Sequence, residues 1–332
     1  MKAVALISGG LDSMLAARVV KDQGIEVIGL HFDISFGRHK KRLLGLHDEP
    51  IHWVEDNLGI ELRTVDIAYE FLEVLKSPKH GYGANMNPCI DCKILMLKKS
   101  KEIMHDLGAS FVITGEVLGQ RPMSQHRQAL MSIEKESGLE GLLLRPLSAK
   151  LLPLTTPEVL GWIDRAQLLR INGRSRKDQK ELISRYDIKD YPNAAGGCLL
   201  TDPEFSRRLQ DLMKRAELNV ENVELIKVGR YLKISENSRL IVGRDEKENE
   251  FLTSIAKDGD YLFMPANVMG PAALGRGDFD ENLINLACRI VCRYCDLNSS
   301  VAADIIYKKK NSKEESMNVT PAQESEIERL RI

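Results

Sequence analysis

Two sets of residues in this sequence have the types and spacing that chemistry requires. The first is Ser8-Gly9-Gly10-Leu11-Asp12-Ser13. It stands between an apolar run, Ala3-Val4-Ala5-Leu6-Ile7, and a stretch in which Leu11, Leu15 and Val19 recur at helical spacing, so it predicts a strand-to-helix turn. Two glycines let the backbone approach a ligand closely. The N–H groups and partial positive charge at a helix start favour an anion, which makes the turn a seat for a phosphate group. The second set is Cys89-Ile90-Asp91-Cys92, with Cys198 far downstream. Met96, Ser100, Ile103 and Leu107 share one helical face and Gly108 is a natural stop, so the Cys-x-x-Cys opens a helix. The local field there is expected to lower the thiol pKa and favour thiolate, the form that binds metal and attacks sulfur.

These residues need a scaffold, and the pattern supplies one. Apolar or alternating runs at 3–7, 26–32, 61–67, 111–116 and 142–147 read as strands, separated by helical stretches at 14–20, 48–58 and 89–107. The alternation predicts an α/β fold, a doubly wound and mainly parallel sheet. Two long loops, 77–88 and 193–202, lead into the Cys-x-x-Cys and carry Cys198; loops of that length in a compact domain are often functional. Thr156-Pro157-Glu158 starts a helix, and another runs from Arg174-Ser175-Arg176-Lys177 to near Tyr186. Beyond about residue 218 the texture changes. Runs 223–234 and 238–244 read as paired strands, 261–264 as a further strand, 282–294 as a helix and 302–307 as a last strand. The expected organisation is a nucleotide-binding domain over 1–203, a smaller α+β domain over 204–307, and a polar, flexible tail over 308–332. Cys288, Cys292 and Cys295 recur at i, i+4 and i+7 within that helix, the spacing of one buried stripe, so core packing is expected of them.

Composition sets bounds. The 332 residues carry 47 Lys and Arg against 48 Asp and Glu, so overall charge does not announce nucleic acid and local basic runs must carry any such argument. Candidates are Arg38 to Arg42, Lys98-Lys99 with Lys101, Arg174 to Lys177, and Arg207-Arg208. No apolar run reaches membrane-spanning length and the N-terminal run lacks a signal-peptide layout. A cytoplasmic protein with reduced thiols and no membrane partner is expected, and the six cysteines read as ligands, nucleophiles or core fillers rather than disulfides.

The order Ser-Gly-Gly-x-Asp-Ser resembles the pyrophosphate loop (PP-loop) of ATP pyrophosphatases, which hold the β,γ-phosphates of ATP, adenylate a carbonyl oxygen and release pyrophosphate. Thr114-Gly115-Glu116-Val117-Leu118-Gly119-Gln120, with Ser124-Gln125 and then Leu144-Arg145-Pro146-Leu147, resembles the corresponding stretch of the 4-thiouridine synthetase family. Cys89, Cys92 and Cys198 resemble the cysteine layout of cluster-dependent tRNA thiolation enzymes. The likeness covers roughly residues 1–203. Val242-Gly243-Arg244-Asp245-Glu246-x-Glu248-Asn249 resembles the RNA-binding domain of the NFACT family. Neither the N-terminal RNA-binding module of bacterial 4-thiouridine synthetases nor a rhodanese domain is found, so sulfur is expected from a cluster, another persulfide protein or free sulfide.

The resemblance implies a fold of the adenine nucleotide alpha hydrolase kind and an ATP-dependent RNA sulfurtransferase acting on tRNA uridine. Ser8, Gly9, Gly10, Leu11 and Ser13 would bind the pyrophosphate part of ATP, and Asp12 would help place Mg²⁺ or the loop. Thr114 and Gly115 would join the nucleotide site. His31 and Phe32, at the carboxyl end of the second strand, are candidates to pack the adenine, an ordinary strand-end role for His31 being the alternative. Cys89, Cys92 and Cys198 would hold a [4Fe–4S] cluster with one open iron, or two of them would form a persulfide and resolving pair, or the set would bind zinc, for which a fourth ligand is missing. Two other functions fit the same loop: a synthetase, like the amidotransferases, that adenylates a small molecule, and a non-catalytic RNA-binding sensor of ATP. A homodimer is compatible with all of these. The uridine position, the atom replaced and the sulfur donor have no signature in the sequence.

Overall fold

The computed structural model describes residues 1–36, 49–186, 188, 198–298 and 301–332, with the side chains of 49–53 left aside. The basic run Arg38 to Arg42 and the segment Asn193 to Gly197 lie outside the described residues. The chain divides into two compact units, one ending at Asp202 and the other running from Pro203 to Ile332.

The first unit holds, in order, β1 (Lys2–Leu6), α1 (Leu11–Lys21), β2 (Glu26–Asp33), α2 (Glu49–Leu58), β3 (Leu62–Asp66), α3 (Ala68–Lys76), α4 (Cys89–Asp106), β4 (Phe111–Ile113), α5 (Arg127–Ser137), β5 (Leu143–Leu144), α6 (Thr156–Val159) and α7 (Lys177–Arg185). The strands form one parallel sheet in the order β3-β2-β1-β4-β5. Ala3, Val4 and Ala5 pair on both sides, with β2 and with β4. The strand order reverses between β1 and β4, and in such sheets ligands sit beyond the carboxyl ends of the strands at that reversal. Both faces are covered. Ala3, Ala5 and Ile7 pack with Leu11, Met14 and Leu15 of α1 on one side. Val4 and Leu6 pack with Ile94 and Leu97 of α4 on the other. That two-sided burial is why the strands read as continuous apolar runs.

The second unit holds α8 (Pro203–Lys214), α9 (Val220–Ile226), β6 (Arg230–Lys233), β7 (Ser238–Val242), α10 (Glu246–Ile255), β8 (Tyr261–Pro265), β9 (Ala273–Gly277), α11 (Glu281–Arg293), β10 (Ala303–Lys309), β11 (Glu315–Val319) and α12 (Glu324–Leu330). Its sheet is antiparallel, in the order β11-β10-β8-β9-β7-β6. Cys288, Cys292 and Cys295 are buried in its core beside Phe263, Ile305 and Val319. Among the described residues no helix is long and apolar enough to cross a membrane.

Three expectations are corrected here. Residues 223–226 are helix, not strand: the Asn219 side chain caps α9 by accepting from Asn222 N at 2.8 Å, and Val223 and Ile226 are buried on one helical face. Residues 308–332 are not a loose tail. The chain pairs β11 with β10 from Ala303–Val319 to Tyr307–Glu315 and buries Ala322 and Ile327 in the core. Arg208 is no surface cation: it is 7% exposed and donates to the carbonyls of Ile226 and Gly229.

Candidate active site

The turn after β1 is held by its own hydroxyls. Ser13 Oγ donates to Gly10 O at 2.7 Å and accepts from Ser8 N at 3.2 Å, while Gly10 N points at Ser8 Oγ, 3.4 Å away. Gly9 takes a positive φ of 73°, and Gly10 is the extended residue that opens α1. Leu11 anchors the first turn in the core. The result is a closed loop at a helix N-terminus, at the reversal point of the sheet.

Gly115, two residues past the end of β4, supports that loop. A Cβ there would lie 2.4 Å from Ser13 N and 2.5 Å from Asp12 C, both backbone atoms, so only glycine allows the approach. Thr114 is buried and its hydroxyl donates to Glu116 at 3.2 Å. His31 sets its Nδ1 2.9 Å from Ile7 O, on the residue that enters the loop, and Phe32 packs beside Val65 and Ile90 on the α4 side of the sheet. Asp12 is gripped by two amides: Gln120 Nε2 donates to Oδ2 at 2.8 Å and Gln179 Nε2 to Oδ1 at 3.3 Å.

Behind the loop lies a buried ionic cluster whose residues stand out in the sequence only as a motif. Arg145 Nε donates to Glu116 at 3.0 Å, Nη1 to Glu134 at 2.6 Å and Nη2 to Leu130 O at 3.0 Å. Glu116 is 1% exposed, and Lys93 Nζ stands 3.8 Å from it. Burial pushes the Glu116 carboxyl up, but Lys93 and Arg145 outweigh it, and the net shift is below the ordinary carboxylate value.

The thiols stand on α4. Because α4 follows β3 and leads into β4 of a parallel sheet, its N-terminus lies on the same carboxyl edge as the phosphate loop. Asp91, also buried, accepts from His80 N at 2.9 Å and so fastens the 77–88 loop to the start of α4. Cys89 Sγ lies 3.0 Å from Asn87 Oδ1, and half-buried Cys198 precedes a short 3₁₀ turn, its Sγ 3.9 Å from Phe36 O. The expected lowering of the thiol pKa does not occur. Burial raises Cys89 despite the opposing pull of Arg121, Lys93 and the Asn87 hydrogen bond. Burial lifts Cys92 to about 12, and the nearby Cys198 adds the next largest push. Burial in a low-dielectric surround disfavours the thiolate and is the largest influence on both thiols. Three thiols are the right donors for an iron–sulfur cluster. Yet among the described residues no group of three or more His, Cys, Asp or Glu side chains is gathered to hold a metal ion. Cys198 and Cys89 both lie near enough to Cys92 for their charge to raise its pKa, which puts the three in one neighbourhood.

A parallel sheet with a Ser-Gly-Gly-x-Asp-Ser turn at its reversal defines the first unit as a PP-loop nucleotide-binding domain. Comparison with known proteins agrees: residues 1–150 match the family described as thiamine biosynthesis protein (ThiI), and residues 229–331 match the NFACT protein RNA binding domain. The chain is thus similar to ThiI-type PP-loop domains over residues 1–150 and to the NFACT RNA binding domain over residues 229–331, and the curated proteins it matches include enzymes of tRNA thiolation beside a 7-cyano-7-deazaguanine synthase of Campylobacter hominis. A tRNA-specific 2-thiouridylase MnmA of Petrotoga mobilis is 35% identical over 132 residues, which is 35% of this chain and 35% of that protein. The MnmA of Marinobacter nauticus is 25% identical over 80% of this chain and 72% of its own length. A probable tRNA sulfurtransferase of Thermococcus kodakarensis is 29% identical over 44% of this chain and 36% of its own length. The first and third of these relatives are thus matched over about a third of their length.

Proposed function

We propose that this chain is an ATP-dependent RNA sulfurtransferase, which adenylates a uridine carbonyl of tRNA and replaces its oxygen by sulfur. The observation that carries the reading is the placement of a closed phosphate loop and a thiol-bearing helix N-terminus on one edge of one sheet. A carbonyl oxygen is a poor leaving group. Its attack on the α-phosphorus of ATP expels pyrophosphate and leaves the carbon bearing AMP, which a sulfur nucleophile then displaces. The phosphate loop serves the first half. Cys89, Cys92 and Cys198 serve the second.

Two forms of the sulfur half suit these thiols. The three together are a donor set that would hold a [4Fe–4S] cluster, and such a cluster would supply a place for the incoming sulfur. Taken as a pair, Cys92 and Cys198 suit a persulfide. The terminal sulfur of the persulfide bonds to the activated carbon as AMP leaves. The second thiol then attacks the inner sulfur, releasing the thiocarbonyl and forming a disulfide that a dithiol reductant must reopen. The electrostatic coupling of Cys92 to Cys198 supports the pair, and the count of three supports the cluster. The NFACT-type second unit suits tRNA recognition, and the cytoplasm suits reduced thiols.

The test is pyrophosphate release from ATP with and without tRNA, beside iron and acid-labile sulfide on protein purified without oxygen, in wild type and in Cys89→Ala, Cys92→Ala and Cys198→Ala. Release that depends on tRNA is expected; release without tRNA would turn the reading to a small-molecule synthetase, and no release to an ATP sensor. Near four irons per chain, lost in each variant, is the cluster outcome. Iron-free wild type that still thiolates tRNA is the persulfide outcome.

A further inference from the structure

The surroundings of Asp12 hold an unresolved demand for hydrogen-bond donors. Gln179, on α7, is 0% exposed, and its amide nitrogen is spent on Asp12. Its oxygen, Oε1, is buried without a partner, and so is Oε1 of Gln120, whose nitrogen is spent on the other oxygen of the same carboxylate. Turning either amide over would set its oxygen against the carboxylate, so the nitrogens must face Asp12 and the oxygens must face elsewhere. A buried amide oxygen left unpaired is costly, and two at one carboxylate point to something that arrives with the ligand. The triphosphate of ATP brings acceptors, not donors. The donors that accompany it are the water molecules that Mg²⁺ keeps when it binds phosphate.

We propose that Gln120 and Gln179 are positioning residues that hold the Asp12 carboxylate and offer their amide oxygens to the water shell of the magnesium ion accompanying ATP. The inference rests on the ATP-dependent reading above. It makes Asp12 part of the magnesium-binding surroundings, held by amides from the turn after β4 and from the first turn of helix α7. Partners of this kind orient a metal's ligands and tune its affinity, although they do not touch it.

The experiment measures ATP binding to the full chain by calorimetry, once with excess MgCl₂ and once with EDTA, for wild type, Gln179→Met and Gln120→Met. Methionine keeps the volume and removes both polar atoms, and Gln120, half-buried, supplies a second variant should the fully buried site not tolerate the change. In wild type Mg²⁺ is expected to strengthen ATP binding. Each variant is expected to lose about tenfold or more of that gain while its affinity in EDTA stays within about twofold of wild type. An equal loss in MgCl₂ and EDTA would overturn the inference, since the glutamines would then only hold the loop. Variants that match wild type in both conditions would overturn it too, with the ATP reading intact. A wild type that binds no ATP in either condition overturns both.

Discussion

Replacing Gly115 by alanine tests how the nucleotide half of the site is built. The new methyl carbon would start 2.4 Å from Ser13 N and 2.5 Å from both Asp12 C and Ser13 Cα. Real Cβ contacts to such atoms open to about 3.4 Å, so one side must move by about 1 Å. The helix cannot give way freely: Met14, Leu15 and Ala16 of α1 are all 0% exposed, and the strand leading into Gly115 is pinned between β1 and β5. Overpacking of this kind costs about 1–3 kcal/mol. If the loop yields instead, a displacement of about 1 Å at a positioned group costs about 10²-fold in function. The expected result is a chain that folds, with a lowered unfolding midpoint, and binds ATP about 10²-fold more weakly by calorimetry. Gly161→Ala is the control, since its φ of 69° strains any side chain while nothing lies within 4 Å of the new carbon. It should cost about 1 kcal/mol of stability and leave ATP affinity unchanged. Gly115→Ala with wild-type ATP affinity and midpoint would refute the idea that β4 buttresses the phosphate loop.

Two further predictions follow from buried ionisable groups. Arg145→Met strands the Glu116 carboxylate and should cost about 3 kcal/mol in urea unfolding, with part recovered by adding Glu116→Gln. Its pH dependence has a definite sign. In wild type the Glu116 pKa is held below its ordinary 4.5, so its stabilisation is present above that value and lost as pH falls through the lowered one. Without Arg145, Lys93 alone opposes burial, so the Glu116 pKa is higher in the variant than in wild type and the variant's deficit should shrink as the pH is lowered from 7. Burial lifts Cys288 to about 12 and Cys295 to about 11 from an ordinary 9.0. Their neutral forms therefore stabilise the fold fully below pH 9 and lose that contribution as pH rises through 9–11, at up to about 1.4 kcal/mol per pH unit for each thiol. Replacing Cys288, Cys292 and Cys295 with alanine should flatten this alkaline loss and leave any iron content as in wild type.

The parallel sheet was legible because strands covered on both faces are apolar throughout, as Ala3 to Ile7 is, and because the helices between them carry stops such as Gly108. The phosphate loop was legible because its function rests on residue type alone. What escaped the sequence depends on distant partners. Arg208 reads as half of a basic pair until Ile226 O and Gly229 O are brought to it. β11 buries only Val319 among its own five residues, so its polar run looked loose, and β10 had to be beside it before the pairing could be seen. The run 142–147 yields only two strand residues, since the next residues carry Arg145 into the ionic cluster. The thiol pKa is a related case: a helix start is visible in sequence, but the burial that raises Cys89 and Cys92 is not.

One pair of residues joins the Ser8–Ser13 turn to the thiol-bearing helix α4. Gly115 and Glu116 are neighbours in the chain. The backbone of the first lies against Ser13 and Asp12 of the phosphate loop, and the side chain of the second faces Lys93, the residue that follows Cys92 on the thiol helix. Arg145 fixes Glu116 from the far side and is itself tied to α5 through Glu134 and Leu130 O. A change at Gln179 therefore acts on the phosphate half alone, a change at Asp91 acts on the loop before the thiols, and a change at Glu116 reaches both. That distinction gives the Thr114-Gly115-Glu116 stretch a physical reason for its composition. A threonine hydroxyl donates to one oxygen of the buried acid, a glycine admits the phosphate loop, and the acid faces the Lys93 charge next to Cys92. The proposed thiolation needs an activated carbon and a sulfur brought to each other, and the three consecutive residues after β4 contact both the Ser8–Ser13 turn and, through Lys93, the helix that carries Cys89 and Cys92.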